Sequence, residues 1–203
     1  MPVVCSVFWQ TASGEKLAIL LQQLSETEQT ALEQIPASPQ SPGVVAAGEA
    51  LFRALDQPLH FDENGEIKPT AFGDSESHGL SVNRLAHSTI EAATRRARDR
   101  VAAVNQRKLE HSAANVQHSG GLQPPRTTVA YVTFNSSKLR ALSSSAHGLM
   151  RRAFGVYDTA KSDDHSHGDV CVLVTGKQAQ RSVREMLYQQ AKHSVVRLTN
   201  VTR

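Results

Sequence analysis

The amino-acid sequence predicts an α+β or mixed α/β fold, in which a single sheet is flanked by helices. Residues 84–111 carry apolar side chains at steps of three and four, as expected for a long helix with one buried face. Residues 127–203 alternate β-branched runs with helical segments, which predicts the order strand-helix-strand-helix-strand and βαβ-like packing. With 203 residues, of which 39% are hydrophobic, the chain is long enough to bury a core.

The elements of the first third follow from short local patterns. The apolar run VVCSVFW predicts a strand over residues 3–9. Leucines at helical spacing predict a helix over residues 15–24. Ser25 and Glu28 have the spacing of a capping box, which predicts a second helix that begins there. Three prolines and a glycine predict a loop over residues 36–43.

A short helix, a hairpin and the long helix are predicted next. The stretch GEALFRAL, residues 48–55, places its large apolar side chains on one side of a helix. Residues 59–69 predict a hairpin, because Asn64 and Gly65 favour the positive φ angles of a tight turn. A polar loop then leads to the helix over residues 84–111.

The last third supplies the C-terminal strands and helices. TTVAYVTF, residues 127–134, is rich in β-branched and aromatic side chains and predicts a strand. A helix follows with Ser136 as its cap. DVCVLV, residues 169–174, predicts a second strand, residues 176–193 a helix, and residues 194–201 a final strand.

The chain is expected to form one compact domain overall, made of two parts and a connection. Residues 1–110 form an acidic N-terminal half that ends in a basic helix. Residues 111–126 are rich in Ser, Asn, Gly and Pro, which predicts a flexible linker or loop. Residues 127–203 form the βαβ-like C-terminal part.

Charge is distributed unevenly along the chain. Residues 1–82 hold 3 Lys/Arg and 11 Asp/Glu, whereas residues 122–203 hold 12 and 5. This asymmetry indicates either a polyanionic partner for the basic end or attraction between the two ends of the chain, and the second is the more common case. Aromatic residues make up 5% of the chain, which disfavours a surface for stacking nucleic-acid bases.

The sequence predicts a cytoplasmic protein without membrane association. No apolar stretch approaches the roughly 18 residues that span a bilayer. The N-terminal segment MPVVCSVFWQ lacks the basic region and the cleavage site of a signal peptide. The sequence does not indicate an oligomeric state.

The stretch DDHSHGDVCVLV, residues 163–174, concentrates groups that bind metals or transfer protons. His165, His167 and Asp169 are suitable ligands for a divalent metal, which is the one cofactor that the sequence suggests. Three interpretations stay open: a metal-binding loop, a catalytic or ligand-positioning loop without metal, and a solvated loop before a buried strand.

Two further features predict anion binding. Lys177 and Ser136 lie at predicted helix N-termini, where free backbone N–H groups favour a phosphate. Arg95 and Arg96 belong to the basic part of the long helix and could contact phosphates of a nucleic acid. The alternative is that the first two are ordinary helix ends and that the arginines pair with carboxylates elsewhere in the chain.

Scattered segments resemble a pattern found in small bacterial proteins without an assigned activity. The segments are FRALDQPLHFDENGEIKPTAF, GLSV and DDHSHGDV, and the matching positions are Arg53, Ala71-Phe72, Leu80-Ser81-Val82 and His167. The chain departs from the pattern in having Asp-His-Ser before His167, where Asn-Pro-Ala is expected. The resemblance implies no mechanism, but it selects Arg53, Ser81 and His167 as a possible shared site.

These three residues suit an anionic substrate. Arg53 could clamp a phosphate or carboxylate, Ser81 could donate a hydrogen bond to it, and His167 could act as general acid or base. We therefore expect a bacterial-type domain that binds or acts on a nucleotide or another phosphate-bearing substrate. The alternative is a non-catalytic subunit or module that binds nucleic acid or an acidic protein through its basic helix and C-terminal part.

Overall fold

The computed structural model describes residues 3–12, 16–114, 124–146 and 149–199, and it confirms the α+β fold. The helices are α1 (Val3–Ala12), α2 (Leu17–Leu21), α3 (Glu26–Glu33), a 3-10 helix (Pro69–Glu76), α4 (Ile90–Ala114), α5 (Ser136–Ala141) and α6 (Lys177–Ala191). The strands are β1 (Ala50–Gln57), β2 (Leu80–Arg84), β3 (Thr127–Asn135), β4 (Ser143–Ala146), β5 (Leu149–Arg152), β6 (Phe154–Asp158), β7 (His167–Val172) and β8 (Val196–Arg197).

Six strands form one sheet in the order β6-β7-β2-β1-β3-β8, and each neighbouring pair within it is antiparallel. Strands β7 and β8, which α6 connects, therefore run in the same direction with three strands between them. This connection has the direction of the expected βαβ-like unit, whereas β3 and β7 run in opposite directions. Strands β4 and β5 pair with each other as a separate ribbon.

Helices cover both faces of the six-stranded sheet. On one face, Leu51 and Leu55 of β1 belong to a core that also contains apolar side chains of the 3-10 helix and α6. On the other face, Phe52 and Ala54 pack against Ala93 of α4. Helices α1, α2 and α3 pack against β6 and β7 in a separate cluster. The sheet is therefore the shared wall of three apolar clusters.

The predicted strand at residues 3–9 is wrong, because this segment is part of helix α1. Trp9 and Ala12 are both buried, and their spacing of three places them on one side of a helix. They join the cluster around Tyr157 of β6. Apolar content alone suggested a strand, but the packing of one side against β6 selects the helix.

The predicted helix at residues 48–55 is also wrong, because strand β1 begins at Ala50. The six central residues of β1 are all buried, since the strand lies inside the sheet with helices on both faces. A strand buried on both sides has an apolar run without alternation, and such a run cannot be told from a buried helix by periodicity.

Several sequence predictions are confirmed. Ser25 and Glu28 form the reciprocal hydrogen bonds of a capping box at the start of α3. Gly65 has a φ angle of 79° in the tight turn, although a single bridge between Phe61 and Ile67 replaces the expected hairpin strands. Strands β3 and β7 and helix α6 lie close to their predicted ranges, whereas α4 begins at Ile90 rather than at residue 84, because Arg84 is the last residue of β2.

Other sequence predictions are only partly met. Strands β2, β4, β5 and β6 were not predicted, and β8 is shorter than the predicted final strand. Asn135, rather than Ser136, caps α5, because its side chain accepts a hydrogen bond from the Lys138 backbone. Of the predicted linker over residues 111–126, the first four residues continue α4, and residues 115–123 lie outside the described residues.

Ion pairs join the acidic first part of the chain to its basic last part. Glu33 is buried and pairs with Arg140 and Arg152, and Glu76 pairs with Arg184. Some acidic residues of the first part of the chain therefore attract basic residues of the last part within the same molecule. Among the described residues, no helix is both long enough and apolar enough to cross a membrane.

Arg84 forms a second buried ionic network. Its guanidinium is 2.8 Å from Glu49 and 3.3 Å from Asp158, and it also donates to the backbone carbonyls of Gly43 and Val44. The side chain of Arg84 is 1% exposed, so these partners replace its water. Burial raises the pKa of Asp158 above its usual value, while Arg84 opposes that shift.

Candidate ligand-binding site

A pocket of about 400 Å³ lies between α4 and the loop that leads into β7. The strand register explains its floor, because Phe52 pairs with Asn83 and Asn83 pairs with His167. Residues paired across neighbouring strands point to the same face of a sheet. On this face, α4 covers β1 and β3, and helices α1 to α3 cover β6 and β7. The pocket lies between these two groups of helices, above β2.

The pocket, called the His167 pocket below, is lined mainly by polar side chains. Its apolar floor consists of Phe52, Ala54 and Ala97. Its polar walls are Ser81, Asn83, Arg96, Asp99, Arg100, Lys161, Asp163, Asp164 and His167. Cationic and acidic groups therefore face the same space, together with one imidazole.

His167 is the most buried titratable group of this lining, with 7% of its side chain exposed. Its Nδ1 lies 3.1 Å from the carbonyl oxygen of Thr159 and 2.9 Å from the Thr159 hydroxyl. The hydroxyl donates in turn to Oδ2 of Asp169 at 2.6 Å. A histidine, a hydroxyl and a carboxylate are thus joined in one chain of hydrogen bonds.

These contacts fix the tautomer of neutral His167. A carbonyl oxygen only accepts hydrogen bonds, so Nδ1 carries the proton and donates it to Thr159. Nε2 is then the nitrogen with the free electron pair. This atom is buried and has no hydrogen-bond partner within the described residues. Buried nitrogen atoms without partners are uncommon in folded proteins, so Nε2 is a candidate contact point for a water molecule or a ligand.

The acidic loop before β7 is held in place by side-chain hydrogen bonds. Asp164 accepts from the Asn83 amide at 2.6 Å and from Ser166, and it pairs with Arg96 at 3.4 Å. Burial opposes ionisation of Asp164, but these hydrogen bonds and Arg96 outweigh it and lower the pKa of the carboxyl. Asp164 is therefore ionised, and it fixes Arg96 at the rim of the pocket.

The structure brings Ser81 and His167 together but places Arg53 elsewhere. Ser81 and His167 both line the pocket, whereas Arg53 does not. The Arg53 guanidinium donates to the Ser81 carbonyl at 3.1 Å, in the gap where β1 and β2 separate beyond Phe52. It also faces Asp74 at 3.7 Å. Its position suits a role in holding the two strands rather than in clamping a ligand of this pocket.

The other predicted anion-binding residues are dispersed. Arg96 lines the His167 pocket, but Arg95 is exposed outside it. Ser136 is fully buried, and its hydroxyl donates to the Ala46 carbonyl at 2.7 Å. Lys177 begins α6 and lines a separate pocket of about 640 Å³ beside the serines of β4. The two predicted helix N-termini therefore do not form one site.

The three predicted metal ligands do not converge. His167 and Asp169 are neighbours on one face of β7, with Nδ1 and Oδ2 3.8 Å apart. His165 is exposed, and its Nδ1 contacts the carbonyl of Gln40. In the part of the chain that the structure describes, no three His, Cys, Asp or Glu side chains form a cluster that could hold a metal ion.

Sequence reasoning missed Thr159 and Lys161 as parts of the site. Both follow β6, which the sequence analysis did not identify, so no pattern indicated that this loop would meet β7. Arg100 belongs to the basic run of α4, and that run was a usable signal. What the sequence could not show was which arginine of the run faces the sheet.

Comparison with models of protein families, with curated proteins and with solved structures found no match for this chain. The resemblance to a pattern in small bacterial proteins therefore stays a prediction.

Proposed function

We propose that the chain binds a small phosphate-bearing molecule, such as a nucleotide, in the His167 pocket, and that His167 exchanges a proton with it. The observation that carries this proposal is the buried Nε2 of His167, which has no partner within the described residues although its residue lines the pocket. Arg96, Arg100 and Lys161 supply positive charge around the same space, although Arg96 already pairs with Asp164 and the lining also contains Asp99 and Asp163. Such groups bind phosphate oxygens through charge-assisted hydrogen bonds.

The hydrogen bonds behind His167 support a role in proton transfer. Neutral His167 would accept a proton at Nε2 from a bound hydroxyl, while Nδ1 keeps its proton towards Thr159. The imidazolium so formed would have its Nδ1 3.8 Å from Oδ2 of Asp169. The reverse transfer would make His167 a general acid towards a phosphate oxygen. Ser81 and Asn83 add neutral hydrogen-bonding groups to the wall.

Titration calorimetry with inorganic pyrophosphate and adenosine monophosphate tests the proposal. Arg100→Gln and His167→Gln each remove one proposed contact, and each is expected to weaken binding roughly tenfold, since one charged hydrogen bond is worth that much. Arg95→Gln is the matched control, because Arg95 is exposed on the same helix and does not line the pocket. Equal losses in Arg100→Gln and Arg95→Gln would mean that only net charge matters, and the proposal would fail.

A second candidate function is the binding of a polyanion, such as nucleic acid, at a different surface. Lys68, Lys108 and Arg126 line a pocket of about 310 Å³ together with Pro58, Leu59 and Pro124. None of these described lining residues is acidic, in contrast to the His167 pocket. Lys108 belongs to α4, so this surface combines the basic helix with the beginning of the C-terminal part.

Salt dependence separates this second candidate from the first. Binding of a short DNA duplex at several salt concentrations should give a steep slope, because phosphate contacts release counterions. The double variant Lys68→Gln, Arg126→Gln should reduce the logarithmic slope by about two, whereas Arg181→Gln on α6 should change it less. An affinity that does not depend on salt would exclude this function.

A further inference from the structure

A second pocket of about 310 Å³ lies on the other side of the Thr159–Asp169 hydrogen bond. Helix α1 provides Trp9 and Ala12 to its wall. Its polar side consists of Ser38, His78, Thr159, Lys161 and Asp169. We call it the Trp9 pocket. Lys161 also lines the His167 pocket, so the two pockets are neighbours.

The indole nitrogen of Trp9 has no hydrogen-bond partner within the described residues. Trp9 is 9% exposed, and its Nε1 is buried. Its ring is held edge-on between Phe8 and Tyr157, with centroid distances of 5.2 and 5.9 Å. An indole N–H only donates, and a buried tryptophan normally finds an acceptor. The fixed ring therefore presents an unused donor at the wall of a cavity.

The remaining wall defines what could supply the acceptor. Ala12, Leu17 and Ala37 form an apolar side, which suits a hydrocarbon or aromatic body. Lys161 is exposed and makes no ion pair with any described residue, so its charge is available to an anion. Asp169 is the acidic side chain of this wall; its Oδ2 accepts from Thr159, and the charge of Lys161 opposes its repulsion of an anion.

We propose that the Trp9 pocket binds a small organic carboxylate, whose apolar body lies against Ala12, Leu17 and Ala37. One carboxylate oxygen accepts the Trp9 indole N–H, and the charge is balanced by Lys161. The site adjoins the His167 pocket and shares Lys161 with it, but the proposal does not depend on phosphate binding there. It is connected to that pocket through Thr159, so an occupant would also contact the residue that orients His167.

Tryptophan fluorescence tests the proposal directly, because Trp9 is the only tryptophan of the chain. Benzoate is the probe, and benzamide and benzylamine are its neutral and cationic counterparts of similar size. We expect a saturable change with benzoate, a weaker one with benzamide and none with benzylamine. A saturable response to benzylamine and none to benzoate would mean that Asp169 dominates the site, and would overturn the proposal.

Two substitutions separate the proposed contacts. Lys161→Gln should weaken benzoate binding roughly tenfold and leave benzamide binding unchanged, because one charged contact is lost. Trp9→Phe keeps an aromatic ring but removes the N–H, and it should weaken both probes when binding is followed by saturation-transfer NMR. Lys177→Gln is the matched control, since Lys177 lines a different pocket.

Two further outcomes would contradict the proposal. The absence of a saturable benzoate response up to its solubility limit would mean that a water molecule alone serves the indole N–H. A benzoate response that is lost in Arg100→Gln would place the probe in the His167 pocket, because Arg100 lines that pocket and not this one. Retained benzoate binding in Arg100→Gln, with loss in Lys161→Gln, would support the Trp9 pocket even if the phosphate proposal failed.

Discussion

Arg84 shows how much one buried residue can matter to this fold. It is fully buried between Glu49 and Asp158, which come from separate segments of the chain. Removing one partner of a buried ion pair is costly because the other charge is left without compensation. Arg84 was predicted only as the start of the helix over residues 84–111, since a single arginine carries no pattern that reveals its burial at the end of a strand.

We predict that Arg84→Met lowers the free energy of unfolding by about 3–5 kcal/mol, because two buried carboxylates lose their cation. Urea unfolding followed by circular dichroism measures the change. Arg98→Met is the control, since Arg98 is exposed on α4 and should cost less than about 0.5 kcal/mol. Equal effects of the two substitutions would show that the Arg84 network does not stabilise the fold.

Gly79 is a second residue whose identity the structure explains. Its φ angle is +95°, a backbone conformation that residues other than glycine rarely adopt. A Cβ atom at this position would also lie 2.9 Å from the Cβ of Asp169, the residue that accepts from Thr159 beneath His167. The glycine therefore permits the close approach of this turn to β7.

We predict that Gly79→Ala lowers the free energy of unfolding by about 1–3 kcal/mol, from backbone strain and the contact with Asp169. Gly73→Ala is the matched control, because a Cβ at Gly73 meets nothing within 4 Å and its φ is not in the strained region. Thermal unfolding compares the two variants. If Gly79→Ala is as stable as Gly73→Ala, the turn can relax and the close approach is not required.

At the residue scale, chemistry was easier to predict from the sequence than position. His167 and Ser81 were selected as candidates, and both line the same pocket. Arg53 was selected for its charge, but a strand buried within the sheet turns its guanidinium towards the Ser81 carbonyl and Asp74. Residue type indicates what a side chain can do, whereas the strand register decides what it faces.

Among the elements, α3 has the clearest local signal. The Ser25 hydroxyl accepts from the Glu28 backbone, and the Glu28 carboxylate accepts from the Ser25 backbone at 2.8 Å. The pKa of Glu28 is lowered mainly by the Ser25 hydroxyl, which donates to its carboxylate at 2.6 Å, and further by the bond from the Ser25 backbone. Both bonds depend on residues three apart, which is why the sequence alone predicted where this helix begins.

We predict that Ser25→Ala destabilises the chain by about 1 kcal/mol, because the first turn of α3 loses its cap. Thr30→Ala in the same helix is the control, since alanine favours the helix interior and Thr30 bonds only to a carbonyl one turn earlier. Chemical unfolding measures both. A loss in Thr30→Ala as large as that in Ser25→Ala would assign the effect to something other than capping.

The elements that sequence reasoning misassigned share one physical cause. Strand β1 and helix α1 are both short apolar segments whose form depends on what packs against them. Strand β1 is buried on both faces, so it lacks the alternation of a half-exposed strand, and α1 becomes a helix by packing one side against Tyr157. In contrast, α4 and α6 have long periodic patterns that identify them without knowledge of their neighbours.

At the scale of the whole molecule, His60 links stability to pH. It is buried beside β1, and its Nδ1 accepts a hydrogen bond from the Asp56 backbone at 2.8 Å. Burial is the largest cause that lowers the pKa of His60 from 6.5 to about 3. Nearby cations add to this shift: Arg53, Arg126, Lys68 and Arg100. The native state therefore keeps His60 neutral at pH values at which His60 of the unfolded chain is already protonated.

We predict that stability is full above pH 6.5 and decreases as the pH falls, because the unfolded state binds the proton that native His60 excludes. Each proton that only the unfolded state binds changes the free energy of unfolding by about 1.4 kcal/mol per pH unit. His60→Asn should flatten the dependence between about pH 6.5 and 5, while His193→Gln, at an exposed site, should leave it unchanged. Urea midpoints across this range provide the measurement, and an equally steep slope in His60→Asn would refute the assignment.

The strand order has a consequence for the time course of folding. Strand β1 pairs with β3 through Arg53 and Val132, and β2 pairs with β7 through Val82 and Gly168, so each partner arrives late along the chain. Pairings between distant segments require large loops to close first, which slows folding compared with a chain of local hairpins. During synthesis, one edge of β2 stays unpaired until β7 has been made, so its backbone N–H and C=O groups are open to pairing with another chain in that interval.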